Sequence, residues 1–157
     1  MAKKYYIAYG SNLNLRQMRL RCPGAKPLGT AVLDGWRLLF KGSRTGAYLT
    51  VEPHEGSSVP AAVWEITEED ERSLDRYEGY PVFYSKRVLP VTFTGIVTGK
   101  RRKRNAVIYI MREDSLPGVP SDTYVRTCAE GYRDFGFDSV YLSKALELSR
   151  RCVENEN

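Results

Sequence analysis

Apolar and aromatic positions gather first in short runs and only later at helical spacing. The first run, Lys4-Tyr5-Tyr6-Ile7-Ala8-Tyr9, is rich in aromatic and β-branched residues and stops at Gly10-Ser11-Asn12. That pattern predicts a strand running into a tight loop. Leu13, Met18 and Leu20, interleaved with Arg16, Arg19 and Arg21, predict a short amphipathic helix, capped by Asn12 or Asn14 and ended by Pro23-Gly24. From 30 to 64 the pattern is that of β-structure. Strands are expected over 31–33, 36–40, 47–51 and 61–64, separated by turn residues such as Asp34-Gly35 and Gly42-Ser43.

The period then changes. Thr67-Glu68-Glu69-Asp70 places a capping hydroxyl and three acids at a helix start, where the macrodipole favours negative charge. Leu74 and Tyr77 carry that helix to Glu78, and Gly79 stops it. Two further strands, 83–94 with a break at Pro90 and 105–111, form a hairpin. Ser121 caps a helix through Arg133 whose last turn Gly131 weakens, and Asp138 caps a last helix carrying Val140, Tyr141, Ala145, Leu146 and Leu148. Five or six strands with three or four helices predict an α+β fold: a closed or nearly closed β-barrel flanked by helices.

Length and composition narrow this picture. With 157 residues, 42% of them hydrophobic and 27% charged, the chain has the balance of a globular protein and room for one domain, expected over 1–157. The net charge of +5 is concentrated in five basic residues from Lys100 to Arg104, expected at the hairpin tip. No aromatic residues interleave with them, so a solvated loop is favoured over an RNA-binding or nuclear-import patch, and no nucleic-acid partner is expected. No run approaches the roughly 18 apolar residues that cross a membrane, and residues 1–4 lead into a strand without an apolar export segment. A cytoplasmic location follows as the expectation. Cys22, Cys128 and Cys152, odd in number and widely spaced, read as reduced thiols.

Absences limit the chemistry. His54 is the only histidine, which excludes an imidazole metal cluster and argues against a Ser-His-Asp triad. No glycine pattern cradles a phosphate, and no base has a readable claim on a cysteine. Neither a metal nor a cofactor is expected. Two places remain. The segment Tyr9 to Leu13 ends a strand and opens a helix, presenting backbone N–H groups to an anion; an ordinary strand-to-helix turn with an asparagine cap is the alternative. Glu78 lies at a helix C-terminus, where the dipole and nearby aromatics such as Tyr77 and Tyr80 make a carboxyl hold its proton more tightly. Taken alone, an acid between helix and turn is usually solvated surface.

Tyr9-Gly10-Ser11-Asn12-Leu13, then Met18-Arg19-Leu20-Arg21-Cys22-Pro23, then Leu74-Asp75-Arg76-Tyr77-Glu78-Gly79 resemble, in this order, the γ-glutamylcyclotransferase-like (AIG2-like) superfamily. The likeness runs from Lys4 to Tyr124 and fades over the last helix. It implies a mixed β-barrel of five or six strands with flanking helices and a cavity beside the first loop. It implies Glu78 as the catalytic residue, Tyr9, Gly10, Ser11, Asn12 and Leu13 as the substrate loop, and Tyr84 and Tyr124 as aromatic cavity residues. The reaction implied is attack of a substrate's free α-amine on its own γ-amide carbonyl, giving 5-oxoproline and an amine or amino acid. The partner is then a small γ-glutamyl molecule. Ser11-Asn12 resembles the loop of members acting on γ-glutamyl amino acids more than the threonine-leucine loop of those acting on γ-glutamylamines. Two alternatives stand beside this reading: a non-catalytic small-molecule binding protein of the same fold, and RNA binding through residues 100–104.

Overall fold

The computed structural model describes residues 3–155; Met1, Ala2, Glu156 and Asn157, included in the expected domain, lie outside the described residues. Five strands close into a barrel in the order β1-β3-β2-β4-β5, with β1 Lys4–Ala8, β2 Lys26–Lys41, β3 Tyr48–Ile66, β4 Tyr84–Gly95 and β5 Arg101–Met111. The strands pair antiparallel except where β1 meets β5 in parallel at Tyr6 and Val107. Four helices flank it: α1 Leu15–Arg21, α2 Glu68–Glu78, α3 Asp122–Phe135 and α4 Val140–Asn155. The fold is thus α+β, a mixed five-stranded barrel. Ile7, Leu13, Phe40, Leu49, Val59, Ile108 and Tyr132 belong to one continuous core.

The four short strands expected between 30 and 64 are two long ones. Asp34-Gly35 makes no hairpin turn; β2 passes through it with a shift of register against β3 between Asp34 and Trp36, and Gly35 takes φ of 82°. A two-residue turn signal here marks an irregularity inside a continuing ladder, because Val32 and Leu38 on either side both find partners on β3, Pro60 and Val51. Pro90 does not break β4, where it sits opposite Asn105. Beyond Gly29–Gly95 and Thr30–Thr94, β4 has no ladder to β2, so its outer edge accommodates a proline.

The basic run is also displaced from its expected place. The tip of the β4–β5 hairpin is residues 96–100, while Arg101 to Arg104 lie within β5 opposite Thr94, Phe93, Thr92 and Val91. The ladder with β4 carries the strand that far, and two of its guanidiniums lie beside aromatic rings. The guanidinium of Arg102 lies 5.3 Å from the Phe93 ring centroid and that of Arg104 5.9 Å from Tyr5.

Helix boundaries follow local chemistry closely. Asn14, rather than Asn12, caps α1, its side chain accepting from Gln17 N at 3.1 Å. Thr67 and Asp70 form a reciprocal capping box at the start of α2, and Gly79 ends it in the left-handed conformation at φ 65°. Asp138 Oδ1 accepts from Val140 N at 2.9 Å ahead of α4, which reaches β2 through a buried bond from Phe40 N to Ser149 Oγ. Gly131, expected to weaken α3, is where the loop after β1 meets it: a Cβ there would lie 2.6 Å from Asn14 N. Among the described residues, no helix is long and apolar enough to cross a membrane.

The β2–β4 seam depends on backbone contact at Gly29, where a Cβ would meet Thr94 O at 2.3 Å and the Phe93 ring at 2.7 Å. Gly29→Ala is therefore expected to destabilise the protein by about 1–3 kcal/mol through overpacking. In urea unfolding the midpoint falls with an unchanged slope; an unchanged midpoint would show that the seam yields freely.

Candidate active site

Where β1 ends, the chain turns sharply through Tyr9 and Gly10 into a 3₁₀ turn over Ser11–Leu13. The turn is held by its own backbone, with Leu13 N–H donating to Gly10 O and Asn14 N–H to Ser11 O, each at 3.0 Å. Leu13 is fully buried in the core and anchors the turn there. Gly10 has little room: a Cβ would stand 3.3 Å from Leu49 Cδ1 and 3.5 Å from the Tyr124 hydroxyl.

Facing this turn is the last residue of α2, Glu78. Its Oε1 accepts from Asn12 Nδ2 at 3.2 Å, and the same Nδ2 donates to the Tyr6 hydroxyl at 2.8 Å. Burial pushes the Glu78 carboxyl up to about 7, against the opposing pull of the Arg21 guanidinium. A carboxyl at that value exchanges protons readily near neutral pH.

Two tyrosines brace the wall beside it. Tyr84 OH donates to Leu49 O at 2.6 Å, and Leu49 N–H donates to Tyr124 OH at 3.1 Å, so both backbone groups of one β3 residue end on phenols. Tyr9 OH donates to Tyr109 O at 2.6 Å. Of the eight residues singled out from the sequence, Tyr9, Gly10, Ser11, Asn12, Glu78, Tyr84 and Tyr124 line one cavity of about 420 Å³. Leu13 stands outside the lining.

Other lining residues carried no sequence signal of their own. Tyr6 and Tyr109 were visible only as strand aromatics, and Tyr48 and Phe83 pack edge to face at the cavity, their ring centroids 5.8 Å apart. Tyr77 was readable as the neighbour of Glu78; its hydroxyl lies 3.1 Å from Ser11 Oγ.

Charged groups pin α2 to the barrel. Lys4 of β1 reaches Glu71 at 2.6 Å, and Lys86 of β4 reaches both Glu71 at 2.8 Å and Asp75 at 2.9 Å. Tyr109 OH of β5 donates to Asp75 at 2.6 Å. Burial alone would raise Glu71, but hydrogen bonds from Lys4 and Lys86 outweigh it and hold the carboxyl below its ordinary value. At the other end of the helix, Asp70 accepts from Thr67 N and Gly24 N, tying α2 to the end of α1.

Residues with other chemical potential lie apart from the cavity. His54 is exposed, its Nδ1 2.8 Å from Ser57 Oγ. Burial pushes the Cys22 and Cys128 thiols up to about 12.

Comparison with known proteins places the chain in a family. The family model described as γ-glutamyl cyclotransferase, AIG2-like, matches residues 6–126. The γ-glutamylcyclotransferases of Bos taurus and Homo sapiens are 30% and 29% identical over 147 residues, covering 88% of this chain and 75% of each relative. A solved structure of a γ-glutamyl cyclotransferase superposes with a TM-score of 0.74 at 27% identity, covering 92% of this chain and 86% of its own. The matched stretch contains both the turn after β1 and Glu78, and the chain belongs to the γ-glutamyl cyclotransferase, AIG2-like family.

Proposed function

We propose that the protein cleaves a γ-glutamyl amide by attack of the substrate's α-amine on its own γ-carbonyl carbon, releasing 5-oxoproline and an amine or amino acid. The observation that carries this reading is Glu78: a single carboxyl, titrating near 7, set in the cavity wall opposite the turn at 10–12. Nucleophile and electrophile belong to one molecule, so the protein's main task is to hold that molecule curled. One proton carrier is then sufficient.

The steps assign a task to each wall. The α-carboxylate binds against the backbone N–H groups of the turn at 10–12, Leu13 N–H being committed to Gly10 O. The α-ammonium lies against Glu78, which takes its proton as the general base. The amine nitrogen bonds to the γ-carbonyl carbon, and the carbonyl pair moves onto oxygen. Collapse of this intermediate breaks the bond to the departing nitrogen, which receives the first proton from Glu78; the carboxylate so regenerated takes the second proton from the ring nitrogen and passes it to the released amine. The carboxyl ends in its starting state, and the aromatic walls keep bulk water from competing with the amine.

Incubation with γ-glutamyl amino acids, γ-glutamylamines and glutathione, followed by 5-oxoproline release, tests the reading directly. Turnover of at least one class is expected, and silence across the panel would sink it. With an active substrate, Glu78→Gln is expected to lower kcat by roughly 10²–10⁴-fold while leaving the fold intact; near-normal kcat would move the proton to another residue. In the native protein kcat/KM should climb as pH rises through about 7, because the ionised form of Glu78 is the base.

Burying this carboxyl also links stability to pH. Its folded value near 7 lies above the ordinary 4.5, so its contribution to stability is fully present below about 4.5 and is lost as pH rises through 7. Glu78→Gln keeps the shape and cannot ionise. It is expected to be the more stable protein at pH 8, by up to about 3 kcal/mol, and to lose that advantage by pH 4.5. Denaturant unfolding at both values measures the difference, and an equal stability of the two proteins at pH 8 would contradict the buried, proton-holding state.

A further inference from the structure

Asn12 is buried between two partners that demand opposite ends of its amide. On one side, Arg21 Nη1 donates to Asn12 Oδ1; on the other, Asn12 Nδ2 donates to Tyr6 OH and Glu78 Oε1. An amide can be turned about so that oxygen and nitrogen exchange places, and a carboxylate can receive a hydrogen bond only from the nitrogen. A guanidinium carries donors alone, so it admits only the oxygen. Arg21 itself is fixed from two further directions. Its Nη2 donates to Gln17 Oε1 at 3.2 Å, and its plane lies over the Tyr77 ring, 3.3 Å from the centroid.

We propose that Arg21 is a positioning residue for the reaction: its guanidinium locks the Asn12 amide in the one orientation that donates to Glu78. The assignment rests on the reading of Glu78 as the proton carrier. With one carboxylate oxygen engaged by Asn12, the other is left to meet the substrate's ammonium group along a fixed direction. The stacking on Tyr77, the residue before Glu78, aligns the last turn of α2 with the same contact.

Without Arg21 the amide is free to present its oxygen to Glu78. That oxygen repels the ionised carboxylate and accepts from the protonated acid, so the proton is retained to higher pH; loss of the cationic charge acts in the same direction. The other titratable groups lining the cavity around the carboxyl are phenols: Tyr6 of β1, Tyr9 just after it, Tyr48 of β3, Tyr77 of α2, Tyr84 of β4, Tyr109 of β5 and Tyr124 of α3. Burial pushes those of Tyr6, Tyr9, Tyr84, Tyr109 and Tyr124 further above their ordinary value, so they stay neutral across the range in which Glu78 titrates. Arg76 also lines the cavity, with its guanidinium donating to Ser73 Oγ at 3.3 Å.

The experiment follows the Glu78 side-chain carboxyl by carbon-13 NMR in the substrate-free protein, with Glu78→Gln identifying its resonance. Arg21→Met is expected to raise the midpoint by on the order of one pH unit. Arg21→Lys keeps the charge but offers no planar fork, and is expected to raise it by a smaller, measurable amount. For a γ-glutamyl substrate that the native protein turns over, Arg21→Met should lower kcat about 10²-fold with KM little changed. Combined with Asn12→Leu, it should cost no more than Asn12→Leu alone, because the two act in series. A purely structural arginine would lower Tm and leave the titration in place. An unmoved Glu78 midpoint in both Arg21 variants, or kcat losses that multiply, overturns the proposal; where Arg21→Met does not fold, Arg21→Lys decides it. Absence of turnover by the native protein refutes the cyclotransferase reading instead, and the titration still decides the role of Arg21.

Discussion

The site depends on one constraint: α2 must be held so that its C-terminal residue faces inward, away from the water a carboxylate prefers. Left to itself, a helix of alternating acids and arginines such as Glu68–Glu78 turns its charged faces to solvent. Here Leu74 supplies one fully buried apolar contact, and the remaining fixing is polar. Lys4, Glu71, Lys86, Asp75 and the Tyr109 hydroxyl join the helix to three different strands. Each such pair, partly exposed, contributes little alone. Their number and their spread over β1, β4 and β5 leave α2 few ways to slide or roll.

Asp70 completes the restraint from the other end. One carboxylate accepts from Thr67 N, closing the capping box, and from Gly24 N, just beyond α1. The end of α1 that bears Arg21 is thereby fastened to the first turn of α2. From there Arg21 lies over the ring of Tyr77, near the last residue of α2.

Much of this was legible in the sequence where the signal is local. Thr67 with Asp70, Gly79 after Glu78, and Asn14 before α1 are choices made by backbone groups within four residues, and their chemistry reads directly from residue order. The strand-to-helix turn and Glu78 could each be singled out, but nothing in their spacing required them to meet; the resemblance supplied that link. Asp34-Gly35 was misread because the same pair that closes a hairpin also suits a positive-φ irregularity within a strand, and only the partner strand distinguishes them. The basic run was misplaced for a similar reason: the rings that receive Arg102 and Arg104 lie 9 and 99 positions away. Tyr6 and Tyr109 were illegible as site residues since their roles arise from contacts between elements far apart in the chain, and Arg21 since its partners Asn12 and Tyr77 come from the turn before α1 and from α2.

The sparse seam between β2 and β4 has a consequence for the protein's behaviour in a crowded solution. A fully laddered barrel leaves no strand edge open, whereas this one joins β2 to β4 at two residue pairs and, apart from a bridge between Lys41 and Pro117 at the end of β2, has no ladder along the rest of that seam. Strand edges without a ladder are templates on which a foreign strand can add. Pro90 interrupts the donor row on β4, the irregularity at Asp34 and Gly35 bends β2 away from a straight template, and Phe137 and Tyr141, from the α3–α4 connection and α4, face the groove between them. The same gap that lets a five-stranded sheet close is thus shaped to resist assembly into larger sheets.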